Sequence, residues 1–244
     1  MPPKKQCNFD ITFLIFLSFL GLLIIVLLIA FPPNISGNVP WRKSLIGSIF
    51  SAICVLGVLA VFSPTQCSSI LKLKPKKNKA SKNSNAGMFA SHISSTSLQG
   101  HHPTCGKFSA HIFRVGNRRF CAACTGLLFG GLIALVGALV YFFDIWQVTE
   151  QNSSVVVVFG ILGVGLGLFQ FKFSNIVRLL LNTSFVMGTL LILIGIDVLV
   201  HSLMFDLFVV SLILFWLFTR ISLSQWDHQR ICSQCNIVDC GLAD

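Results

Sequence analysis

The segment Ile11–Phe31, ITFLIFLSFLGLLIIVLLIAF, carries no charged residue and runs straight into Pro32-Pro33. At about 1.5 Å of rise per residue, a helix of roughly 20 apolar residues crosses the hydrocarbon core of a bilayer, about 30 Å thick. Its apolar part is longer than the core of a secretory signal, and Phe31-Pro32-Pro33 stands where a cleavage site would need small residues, so the segment is expected to be an uncleaved first span. Pro32 and Pro33 end it, because neither donates a backbone hydrogen bond and each restricts the residue before it.

Working outward, the same pattern recurs. Apolar runs at about 45–62, 125–143, 155–171, 179–200 and 205–220 bring the number of expected spans to six. With 54% hydrophobic residues, 23 phenylalanines and only 11% charged residues in 244, too little polar surface exists to clothe a soluble globule. The fold class read from this is all-α: a polytopic membrane protein of about six transmembrane helices with a small cytoplasmic Cys/His-rich hairpin. Small residues mark expected helix contacts. They are Ser44, Ser48 and Ala52, together with Gly47 and Ser51, in the second span, Gly126, Gly130 and Gly137 in the third, and Gly163 with Gly167 in the fourth.

The net charge of +10 sets the orientation. With both termini cytoplasmic, all of the 18 Lys and Arg residues except Arg42 and Lys43 fall on the inner side, in keeping with the excess of basic residues on cytoplasmic loops. This places the chain in the cell membrane with the organisation 1–71 (two spans), 72–99 (basic cytoplasmic linker), 100–124 (Cys/His-rich motif), 125–221 (four spans) and 222–244 (Cys-rich cytoplasmic tail). The linker from Lys72 to Lys82 reads as a solvated tether, with anionic lipid headgroups as the alternative partner. Nucleic acid is not expected, for the run has neither interleaved aromatics nor a recognisable binding fold. The bilayer is the expected partner, and an oligomer or larger membrane complex fits the small-residue faces. Sequons at Asn34 and Asn152 fall in outer loops and permit glycosylation, whereas Asn182 sits at the inner end of a span, where it is unusable.

Chemistry is concentrated in His101–Gly126, HHPTCGKFSAHIFRVGNRRFCAACTG. Gly116-Asn117 suits a tight hairpin turn between 111–115 and 118–122. The hairpin delivers Cys121 and Cys124 to the start of the third span at the spacing that lets two thiolates grip one tetrahedral ion. His101, His102, Cys105 and His111 are candidate partners. A second group, Cys232, Cys235 and Cys240 with His228, lies on the same side by the charge argument. Two sets of three cysteines with nearby histidines in a reducing compartment suit zinc better than disulfides, and the histidines favour zinc over an iron–sulfur cluster. The sets make either two Cys3His sites or one site drawing on both.

Two other readings compete. Cys121 at a helix N-terminus beside Arg118 and Arg119 suits a thiolate, hence a membrane thiol-disulfide oxidoreductase working through Cys121 and Cys124, although no thioredoxin-like strand–helix–strand pattern is present. Asp197 and His201, four residues apart on one helix face with Asp206 nearby, suggest a transporter. The plainer expectation is that the Asp197 carboxylate and the His201 imidazole pair with each other at the outer interface.

Cys121-Ala122-Ala123-Cys124-Thr125-Gly126, after a basic-aromatic stretch and a His/Cys group and leading into a Gly-rich span, resembles a family of uncharacterised prokaryotic membrane proteins with the motif C-x-R-C-T-G. The likeness covers about residues 100–137. Ala123 stands where that family has Arg, and His-His-Pro-x-Cys where it commonly has Cys-His. The resemblance implies a multi-pass membrane protein with a metal-ligand-like motif, and it brings no activity with it.

Overall fold

The structure is a computed structural model that describes residues 4–33, 39–62, 112–115, 118–170, 173 and 175–233, with the backbone alone for 4–9, 112–115, 118–119, 228–229 and 232–233. Six helices and one hairpin make up this part of the chain. They are α1 (Lys4–Ala30), α2 (Arg42–Phe62), β1 (Ile112–Val115), β2 (Arg118–Cys121), α3 (Ala122–Phe142), α4 (Glu150–Leu168), α5 (Asn175–Val200) and α6 (Leu203–Ser233). Each helix has a stretch long and apolar enough to cross a membrane, so the chain is a polytopic membrane protein, with six such helices among the described residues. An even number of crossings brings the start of α1, the hairpin and the end of α6 to one face, here the hairpin end. The starts of α2, α4 and α6 share the far end.

The spans begin and end close to the apolar runs of the sequence, with two differences. Arg42, expected in a loop, is the first residue of α2 and is buried. The helix α6 continues through the polar residues after Ser222 to Ser233, at about 46 Å much longer than the hydrocarbon is thick. Neither Gly nor Pro interrupts 222–233, and Leu223 and Asp227 are buried against the bundle, so nothing ends the helix at the membrane surface.

The helix α5 is the hub. Of its apolar window 67% is buried, against 39% or less for every other span. In lipid, apolar side chains gain little by leaving one hydrocarbon surface for another, so helices associate where small residues let backbones approach closely. Gly160 of α4 and Gly188 of α5 show this reciprocally: a Cβ at Gly160 would lie 2.7 Å from the Gly188 carbonyl oxygen, and one at Gly188 would lie 2.6 Å from the Gly160 carbonyl oxygen. Gly163 and Gly167 continue the α4 face against Ser184 and Phe185, while Gly126, Gly130 and Gly137 seat α3 on the other side of α5. On α2 only one of the two small-residue rows is a contact. Gly47 meets Phe142 of α3, whereas Ser44, Ser48 and Ala52 are exposed, and Ser48 Oγ donates back to the Ser44 carbonyl oxygen at 2.7 Å. The helix α1 joins through α6, where Trp216 Nε1 donates to the Ser18 carbonyl oxygen at 3.2 Å and Ser18 Oγ to Thr219 Oγ1 at 3.1 Å.

The hairpin is antiparallel with Val115 opposite Arg118 and Ile112 opposite Cys121, the register expected for a two-residue turn, and the turn residues themselves lie outside the described ones. Gly160→Ala should lower the thermal midpoint in detergent by the equivalent of about 1–3 kcal/mol, since the new methyl meets backbone atoms that cannot turn aside. Gly165→Ala, whose Cβ meets nothing within 4 Å, should leave it unchanged or raise it slightly.

Candidate functional site

Of the residues singled out in the sequence, Cys121, Cys124, Asp197 and His201 are described with their side chains, and His228 and Cys232 by backbone only. His101, His102, Cys105, His111, Cys235 and Cys240 lie outside the described residues. Among the described residues no group of three His, Cys, Asp or Glu side chains is placed to hold a metal ion.

At the hairpin end, Cys121 closes β2 and caps α3 with an extended backbone at φ −75° and ψ 118°. The Thr125 hydroxyl donates to its carbonyl oxygen at 2.9 Å, which ties the strand-to-helix corner. Cys121 is only 5% exposed and Cys124, one turn on, is half-buried. Between them Ala123 lines a cavity of about 10 Å³, room for about one water, together with Gln170, Arg178, Leu223, Ser224 and Asp227. The start of α3 and the extension of α6 therefore both border this cavity. Cys232 follows on the same helix, about 7.5 Å of rise beyond Asp227.

A polar network braces this end. Arg178 Nη2 donates to Asp227 Oδ2 at 3.3 Å, joining α5 to α6. Arg220 Nε donates to Asn182 Oδ1 at 2.9 Å, its Nη2 donates to that same oxygen and, at 3.3 Å, to Gln170 Oε1. Asn182 Nδ2 donates to the Arg178 carbonyl oxygen at 2.6 Å. Asn182 is fully buried in this network, so its sequon has no route to modification, while Asn152 is exposed in the first turn of α4.

At the far end the pairing differs from the sequence expectation. The Asp197 carboxylate does not meet the His201 imidazole. Its Oδ2 accepts from the Tyr141 hydroxyl at 2.6 Å, and its Oδ1 stands 2.8 Å from Arg42 Nη1. The same Arg42 nitrogen donates to Asp206 Oδ2 at 2.6 Å. His201 instead ends α5: it adopts left-handed backbone at φ 48°, and both its N–H, at 3.3 Å, and its ring Nδ1, at 2.8 Å, address the Asp197 carbonyl oxygen. A carbonyl oxygen only accepts, so Nδ1 carries the hydrogen. The imidazole thus caps the helix and turns the chain into α6 within two residues. Outside this core, Lys43 Nζ bridges to Asp144 Oδ1 at 2.9 Å and sits 5.1 Å from the Tyr141 ring centre.

Sequence reasoning missed Arg42 and Tyr141 here and Arg178, Arg220 and Asp227 at the hairpin end. Arg220 had a usable signal, a basic residue ending an otherwise apolar run, since charge in a span faces protein and finds a partner. Tyr141 had a weaker one, as the only tyrosine in the chain and placed at a span end. Comparison with protein-family models, with curated proteins and with solved structures gives no match to this chain.

Replacing Arg42 with Met should be severe, on the order of 3–5 kcal/mol in detergent unfolding, because two buried carboxylates lose their shared cation. Lys43→Ala, which breaks a solvent-exposed pair, should cost no more than about 1 kcal/mol.

Proposed function

We propose that this integral membrane protein is a scaffold that holds a structural zinc ion in a closed Cys/His shell at its hairpin end. One observation carries the reading: Ala123, between Cys121 and Cys124, shares a cavity with Leu223, Ser224 and Asp227 of the helix that leads to Cys232. Cys121 and Cys124 stand at the start of α3, and Cys232, more than a hundred residues later in the chain, lies near the end of α6 at the same face. Cys121 and Cys124 would supply two thiolates, and Cys105 with His101, His102 or His111, or Cys232, Cys235 and Cys240 with His228, would complete four ligands. Soft thiolates with an imidazole suit zinc, and in such a shell binding energy is also folding energy.

The burial of Cys121 favours this over thiol exchange, which needs a thiolate open to an attacking partner. The basic-residue count favours a cytoplasmic hairpin end, with the lysines of 72–82 as a solvated tether and anionic headgroups as their alternative partner.

Elemental analysis of protein purified without chelator or His-tag should find one or two zinc atoms per chain, and Cys121 and Cys124 should resist alkylation until a chelator is added. Cys121→Ser should lower zinc content and thermal midpoint together. Metal-free protein with a Cys121–Cys124 disulfide that forms and reduces reversibly would make it an oxidoreductase instead. Orientation is checked separately in intact cells with a cysteine-free background. A cysteine replacing exposed Glu150 should react with an impermeant thiol reagent, and one replacing Ala80 should not.

A further inference from the structure

Two buried oxygen atoms at the far end have no hydrogen-bond donor. Asp197 and Asp206 are each 0% exposed, and Oδ1 of each has no hydrogen-bond partner among the described residues. Their other oxygens are supplied, Asp197 Oδ2 by the Tyr141 hydroxyl and Asp206 Oδ2 by Arg42 Nη1. Arg42 Nη1 approaches Asp197 Oδ1 closely enough for an ion pair but directs no N–H at it. The two carboxyl groups stand against one and the same Arg42 nitrogen, Asp197 Oδ1 at 2.8 Å and Asp206 Oδ2 at 2.6 Å, so they are close neighbours in the buried joint.

An ionised carboxylate only accepts, so two facing carboxylates with no hydrogen between them repel, and the more so away from water. Charge counting gives the same imbalance: two carboxylates against one guanidinium. The neighbouring elements do not correct it. Lys43 of α2 is engaged with Asp144 just after α3, Glu150 at the start of α4 adds another negative charge, and the ring of His201, which follows α5, is turned to a backbone carbonyl. One hydrogen on Asp206 Oδ1 makes that atom a donor to Asp197 Oδ1. A single proton then satisfies both orphan oxygens and brings the cluster to neutrality, as in carboxyl pairs that share a proton because both cannot ionise side by side.

We propose that Asp206 and Asp197 form a proton-binding site that holds one proton between their Oδ1 atoms, with Asp206 as the carrier and Asp197, flanked by Arg42 and Tyr141, as the anion. Release transfers that proton from the Asp206 carboxyl to water, giving carboxylate and hydronium with no other reactant. It leaves one uncompensated negative charge in the joint where α2, α3, α5 and α6 meet.

Infrared spectroscopy of the full-length protein in lipid vesicles tests this through the C=O stretch of an un-ionised carboxylic acid at neutral pH. The band, shifted by deuterium exchange, should be present in the wild type and in Asp227→Asn and lost in Asp206→Asn. Because Asn copies the shape of the protonated acid, Asp206→Asn should keep the wild-type thermal midpoint. Asp197→Asn leaves Asp206 the only carboxylate facing Arg42, so Asp206 ionises and the band should vanish there too. That variant decides the matter if Asp206→Asn does not fold. A wild type without the band, or a band that survives either substitution, overturns the proposal. So does a band that disappears when sodium or potassium replaces a large organic cation at constant ionic strength, which would make the pair a metal-cation site.

Discussion

One guanidinium lodged between two carboxylates sets the geometry of the far end, and four helices depend on it. Arg42 opens α2, Asp197 lies in the last turn of α5, Asp206 in the first turn of α6, and Tyr141 at the end of α3 completes the set. Apolar side chains in lipid gain little from burial against one another, so van der Waals fit alone would hold these ends loosely. A buried charge, by contrast, is expensive anywhere but beside its partner, which fixes the relative position of all four helix ends. The same demand accounts for the short α5–α6 turn: His201 takes left-handed backbone and caps Asp197, so that Asp197 and Asp206 can both reach Arg42.

The hairpin end is built on the opposite balance. Two guanidinium groups, Arg178 and Arg220, share a network with one carboxylate, Asp227, and with the neutral amides of Asn182 and Gln170. Amide oxygens accept from a guanidinium without adding charge, so this end keeps a positive excess within the network, while the far end holds more carboxylate than guanidinium. Between the two, α3 and α4 press on α5 through glycines, and this close packing keeps the polar ends in register with one another.

Much of this was legible in the sequence where the bilayer or a local turn imposes the rule. Span length follows from hydrocarbon thickness, so the run at 11–31 and its five successors mark the six helices, though α1 begins before its run and α6 continues well beyond its own. Gly116-Asn117 set the hairpin register because a two-residue turn allows little else. The partner of Asp197 was not legible. Sequence spacing offers a neighbour four residues away, His201, but the carboxylate takes Tyr141, 56 positions distant, and Arg42 on another helix still. Nor could spacing choose between the two small-residue rows of α2, which lie on different faces of one helix; Gly47 packs because Phe142 happens to stand opposite it. Arg42 was misplaced for a related reason, since a charge at the edge of an apolar run reads as loop unless its partner is known.

The buried charges repeat the sense of the exposed ones. Among the described residues, the hairpin end carries Lys4, Lys5, Arg114, Arg118, Arg119, Arg178, Arg220 and Arg230, and the far end carries Asp144, Glu150, Asp197 and Asp206 with Arg42 and Lys43. In the orientation proposed, with the hairpin end inside, a negative-inside membrane potential acts on both sets in the same direction. Moving one elementary charge through the full potential is worth about 2.3 kcal/mol per 100 mV. Charges held at the two faces sit near the ends of that drop, so inverting the bundle would set most of them against the field. The far-end triad contributes least when it carries its shared proton, because it is then neutral. Losing the proton adds a negative charge on the side where the potential already favours one, so the field and the dry surroundings pull the site in opposite directions.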